Sequence, residues 1–92
     1  MTDEHLKAIL QAGKASEDGD GWSVLPDASH VTLYAARNGT NLAVNRIQAL
    51  RREGELVHAR TSRGELYVVH MDDLFAGAVD GTSAQARKAG FV

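Results

Sequence analysis

The sequence predicts an α+β domain that is mainly β: a four- to five-stranded antiparallel meander or small open barrel, with short N- and C-terminal helices. Three observations carry this. Val31, Leu33 and Ala35 alternate with Thr32, Tyr34 and Ala36, the period of a half-buried strand. Asn38-Gly39 follows, and both residues tolerate the positive φ that a two-residue hairpin turn demands. Glycine turns at Glu53-Gly54 and Arg63-Gly64 then divide Ile47 to His70 into three short apolar-rich runs.

The first element is a helix over Asp3 to Gly13. Thr2 is its N-cap, Asp3 and Glu4 suit the positive end of the helix dipole, and Gly13 is a stop. Leu6, Ile9 and Leu10 share one face. Isolated helices below roughly 12–15 residues rarely hold in water, so either this one docks on an open sheet face or a second chain covers that face. Residues 14–21 are polar and glycine-rich and read as a linker, and Trp22-Ser23-Val24-Leu25 reads as a short strand closed by Pro26-Asp27.

Through Asn38-Gly39 a two-residue turn pairs Ala35 with Leu42 and Leu33 with Val44, apolar against apolar. Two-residue turns at the later glycines put Leu50, Val57, Ala59, Leu66 and Val68 on a core face. Ile47, Arg51, Leu56, His58, Arg60, Tyr67 and Val69 fall on a mixed second face, with Tyr67 opposite Arg60. Asp72 or Asp73 is placed to cap a short helix carrying Leu74, Phe75, Ala78 and Val79, and the tail has a helical turn from Ser83 to Ala89. The domain divides into residues 1–21 (helix and acidic linker), 22–79 (β-meander with its closing helix) and 80–92 (flexible tail).

Composition narrows the functional classes. A chain of 92 residues makes one small domain, too short for barrel enzymes, kinases or dinucleotide-binding dehydrogenases. With no cysteine, disulfides, thiolate metal sites and cysteine nucleophiles are excluded. No run approaches the roughly 18 apolar residues of a spanning helix, and the acidic Met1-Thr2-Asp3-Glu4 is unlike a secretory signal, so a cytoplasmic protein without membrane contact is expected.

Catalytic and metal patterns fail one by one. His58 and His70 fall on opposite faces in this register, and no histidine pair has zinc-site spacing. Counting a calcium loop from Asp18 puts Trp22, Ser23 and Ser29 where an oxygen ligand, glycine and glutamate are required. Ser29 and His30 point to opposite faces if strand-bound, and Asp72-Asp73 reads as a cap. No enzyme, metal or cofactor is expected.

Charge is distributed unevenly. Residues 1–29 hold two lysines against six carboxylates, whereas residues 30–70 hold six arginines against three glutamates. The leading expectation is a regulatory or protein-interaction module, contacting another protein or a second copy through Arg51, Leu56, His58, Arg60, Tyr67 and Val69. The alternative is nucleic-acid binding, with Arg37, Arg46, Arg51, Arg52, Arg60 and Arg63 meeting phosphates.

The run Ile47-Gln48-Ala49-Leu50-Arg51-Arg52-Glu53-Gly54-Glu55-Leu56-Val57-His58-Ala59-Arg60-Thr61, its return Gly64-Glu65-Leu66-Tyr67-Val68, and Asp72-Asp73-Leu74-Phe75 carry a partial likeness. Residues 31–79 resemble the β-region of LytTR-type DNA-binding domains of bacterial response regulators. In those domains such strands lead to a short helix, and strand edges and loops bind DNA. The family's later strand and hairpin, which hold those contacts, have no counterpart in Gly81-Thr82-Ser83-Ala84-Gln85-Ala86-Arg87. No binding residue is therefore carried over.

Overall fold

The computed structural model describes residues 1–81: an antiparallel sheet curled into a half-barrel, with one α-helix packed into its core. Helix α1 spans Asp3–Ala12. Its cap is Thr2, whose Oγ1 accepts the N–H of His5 at 3.1 Å, and Gly13 closes it by donating to the carbonyl of Ile9 at 3.0 Å. Asp3 pairs with Arg52, and Leu6 and Ile9 enter the sheet's own buried cluster. The helix is thus part of the core and not an arm. No helix among the described residues is long and apolar enough to cross a membrane.

Seven strands follow in one sheet: β1 (Ser16–Glu17), β2 (Ser23–Val24), β3 (Ser29–Arg37), β4 (Thr40–Glu53), β5 (Leu56–Thr61), β6 (Leu66–His70) and β7 (Leu74–Gly81). The residues read as a linker thus contain β1, which pairs with β2. β4 is the spine. Its first half pairs with β3, its second half pairs with β5, and Ala49 and Leu50 also pair with β2. The hairpin register of Ala35 with Leu42 and Leu33 with Val44 is as the sequence predicts, across Asn38 (φ 51°) and Gly39 (φ 80°).

Two bulges bend β4 and curl the sheet. Asn45 and Arg46 together oppose Thr32, with Arg46 at φ 59°, and Gln48 is an extra residue against β5. The second bulge turns Ile47 inward as well as Leu50. Alternation alone assigns Ile47 to the mixed face. The concave side buries Val31, Leu33, Val44, Ile47, Leu50 and Val57, with Met71 and Leu74 at one end.

Two turn lengths differ from expectation, with opposite consequences. Between β4 and β5 the turn is Gly54-Glu55, so Glu53 meets Leu56. This moves the pairing by two positions and leaves every face unchanged. Between β5 and β6 the loop has three residues, Ser62-Arg63-Gly64, with Gly64 at φ 86° and the N–H of Thr61 donating to the carbonyl of Glu65 at 2.9 Å. This moves the pairing by one position and turns β6 over. Tyr67 and Val69 therefore pack against the core, Leu66 and Val68 face outward, and Arg60 pairs with Leu66 instead of Tyr67. His58 and His70 share the outer face instead of opposing ones.

The helix expected after Asp72-Asp73 is absent. Met71–Asp73 form one 3₁₀ turn, capped by His70, and Leu74–Gly81 form β7 along β3. Asp80 and Gly81 belong to that strand, not to a tail; the helical turn expected over Ser83 to Ala89 lies outside the described residues. Gly77 is where α1 meets this strand. A Cβ there would lie 2.5 Å from Ile9 Cδ1 and 3.3 Å from Leu33 Cδ2, so the missing side chain lets α1 seat on β7.

Candidate interaction surfaces

β6 and β7 are two of the sheet's edge strands, β1 being a third. The 3₁₀ turn joins them, but among the described residues β6 pairs only with β5 and β7 only with β3, so the barrel is open along that seam. Beside β6, a cleft of about 230 Å³ separates it from the β3–β4 hairpin, lined by Ala35, Leu42, Val68 and Val69, with the Arg37–Asp73 ion pair at 3.0 Å among its walls.

The outer face of β4–β5–β6 carries the first candidate surface. Across the ladder lie Arg51 and Glu53, then Leu56, His58 and Arg60, then Leu66, Val68 and His70. Leu56 is 41% exposed, Val68 49% and Leu66 56%, high values for aliphatic side chains. Trp22, just before β2, lies under Arg60, whose guanidinium carbon is 4.7 Å from the ring centroid. Arg51 and His58 both approach Glu53, at 3.6 and 4.0 Å. Of the six residues the sequence nominates, Arg51, Leu56, His58 and Arg60 meet here, whereas Tyr67 and Val69 lie on the opposite face. Leu66 and Val68 take their place. Their signal was present in the sequence as a pair of apolar residues one position out of phase, but the loop length that sets the phase was not.

The six arginines are divided among roles. Arg37 binds Asp73, Arg51 approaches Glu53, Arg52 binds Asp3, and Arg60 stacks on Trp22. As neighbours on one strand, Arg51 and Arg52 point to opposite faces. Arg46 and Arg63 have no carboxylate within 4.0 Å among the described residues. They line a second, polar concavity of about 590 Å³ with His30, Thr32, Asn45 and Asp80. The N–H of Ser62 donates to the carbonyl of Arg46 at 2.9 Å, fastening the β5–β6 loop to the β4 bulge.

That loop is built on Thr61, the buried polar residue of the core. Its Oγ1 accepts the N–H of Glu65 at 3.1 Å and donates to Glu65 Oε1 at 3.2 Å. Thr61→Val keeps the shape but strands the amide, and is expected to cost about 0.5–1.5 kcal/mol. Urea unfolding and faster hydrogen exchange at Glu65 would register it; an unchanged exchange rate would mean the hydroxyl does not hold the loop.

One grouping was not legible in the sequence. Glu55, His70 and Asp72 bring one potential ligand atom each within 4.8 Å of one another. His70 Nδ1, however, accepts the N–H of Asp72 at 3.1 Å, capping the 3₁₀ turn, and both carboxylates are exposed. The histidine is already in structural use.

Comparison with known proteins places the chain in no family: no protein-family model matches it, and no curated protein or solved structure does either.

Proposed function

We propose that this domain is a small non-enzymatic protein-interaction module that captures an extended segment of a partner protein as an added strand on β6. The observation that carries the reading is the character of that edge. Natural sheet edges are protected from further pairing by lysine, proline, bulges or inward charges. β6 reads Leu-Tyr-Val-Val-His, pairs with β5 in unbroken register, and exposes Leu66 and Val68. A strand laid along it would take main-chain hydrogen bonds from the edge and set alternate side chains against Leu66, Val68 and the adjoining cleft.

The chemistry of the face selects the partner segment. The face is divided in charge: Arg60 adjoins Leu66 at one end of the aliphatic patch, Glu53 lies beside Arg51 and His58, and Glu55 and Asp72 gather at His70 at the other end. An extended segment with apolar residues at alternate positions and an acidic residue at the Arg60 end is the matching ligand.

A random-peptide display selection on the folded domain tests this, with a Leu66→Lys/Val68→Lys variant as counter-target. Both side chains are about half exposed, so the variant keeps its fold. Enriched peptides should be apolar at alternate positions with an acid at the Arg60 end, and lose about 30-fold in affinity for the variant, corresponding to roughly 1 kcal/mol for each half-buried side chain. Peptides that bind both proteins equally, or a selection that enriches nothing, would overturn the reading.

A further inference from the structure

The polar concavity around Arg46 is a separate feature, remote in character from the apolar edge, and we propose that it binds a phosphate-bearing ligand. The first ground is unspent charge. The protein engages its other strand arginines with Asp73, Glu53, Asp3 or the Trp22 ring, but leaves Arg46 and Arg63 without an acid within 4.0 Å among the described residues. Asp80 also lines the concavity, so two guanidiniums face one carboxylate there and the balance remains positive before His30 is counted.

The second ground is backbone conformation. Of the four non-glycine residues with positive φ, two line this concavity: Ala28 at φ 67° and Arg46 at φ 59°. Left-handed backbone is costly for a side chain with a Cβ, and such conformations gather at binding sites. At Arg46 a glycine or asparagine would satisfy the bulge without that cost. An arginine stands at this position instead, and it lines the concavity.

The third ground is assembly. Arg46 comes from the β4 bulge and Arg63 from the β5–β6 loop, and the Ser62 N–H to Arg46 carbonyl bond holds the two segments together. Asn45 Oδ1 accepts from Thr32 Oγ1 at 3.4 Å, a bond that does not use its amide N–H groups. Planar guanidiniums arriving from two directions, with amide and imidazole donors beside them, form the donor set that grips a tetrahedral oxyanion. A volume of about 590 Å³ admits a nucleotide-sized ligand.

The test is an amide and arginine-side-chain ¹H–¹⁵N titration at constant ionic strength, with inorganic phosphate, adenosine monophosphate and single-stranded oligonucleotides of increasing length as probes. Saturable shifts are expected at His30, Asn45, Arg46, Ser62 and Arg63. Affinity should fall at least tenfold in Arg46→Gly, which also suits the backbone and so keeps the fold, and in Arg63→Ala. Arg60→Ala should bind as wild type. Affinity that rises with oligonucleotide length would assign the phosphate to a nucleic-acid backbone, and equal or better binding of the mononucleotide would assign it to a small ligand. Shifts that do not saturate, or an Arg60→Ala loss as large as that of Arg46→Gly, would overturn the site.

Discussion

Leu33→Ala is expected to bring the domain close to unfolding. Leu33 is 0% exposed, sits at the middle of β3 between β4 and β7, and lies beside the point where α1 crosses Gly77. Every layer of the half-barrel therefore loses contacts when its isobutyl group is removed. Leucine-to-alanine changes in well-packed cores cost about 2.7–5 kcal/mol, more where the surroundings cannot collapse. A β-sheet fastened on two sides of the residue collapses poorly, which points to the upper half of that range. Native domains of this size hold only about 5–14 kcal/mol in total. The midpoint of thermal unfolding should fall by roughly 15–40 °C, at about 4–8 °C per kcal/mol for a small domain. Circular dichroism against temperature and urea measures it, and a loss below about 1 kcal/mol would mean that the concave side is not the core.

The sequence made local features legible and long-range ones only in part. Thr2, Gly13 and Asn38-Gly39 act through neighbours one to four positions away, so the helix and the first hairpin could be read directly. The β5–β6 loop was different. Arg63-Gly64 fits both a two-residue turn and the last two positions of a three-residue loop, and only the bonds from Thr61 to Glu65 decide between them. One residue of difference exchanged Tyr67 and Val69 for Leu66 and Val68 on the outer face. The candidate surface was thus located on the right strands with two of its three apolar residues, Tyr67 and Val69, inverted. The concavity at Arg46 and Arg63 was visible only as two members of a set of six, because which arginines find acids depends on segments far apart in the chain.

The segment read as a helix after Asp72-Asp73 supplies the second large effect. Glycine in a helix and glycine in a strand look alike in a sequence, and a side chain sixty-odd positions earlier distinguishes them here. A Cβ at Gly77 would stand 2.5 Å from Ile9 Cδ1, closer than real contacts allow, and a tight 3.1 Å from Ile9 Cγ1. Gly77→Ala should therefore push α1 off β7, costing about 1–3 kcal/mol as an overpacking substitution, although alanine itself suits a strand no worse than glycine. The cause can be isolated, because both of the nearest atoms belong to one side chain. Ile9→Ala alone empties the seat of the helix and should cost about 2–5 kcal/mol. With both changes, the new methyl occupies space that Ile9 vacated, so the double variant should be more stable than the sum of the single costs by about 1–2 kcal/mol, a coupling typical of residues in contact. Urea unfolding of the four proteins gives this directly, and hydrogen exchange in α1 shows whether the helix lifts before the sheet melts. Additive costs would mean that the clash is relieved elsewhere and that Gly77 does not seat the helix. A positive coupling would establish that one glycine in β7 decides how α1 closes the half-barrel.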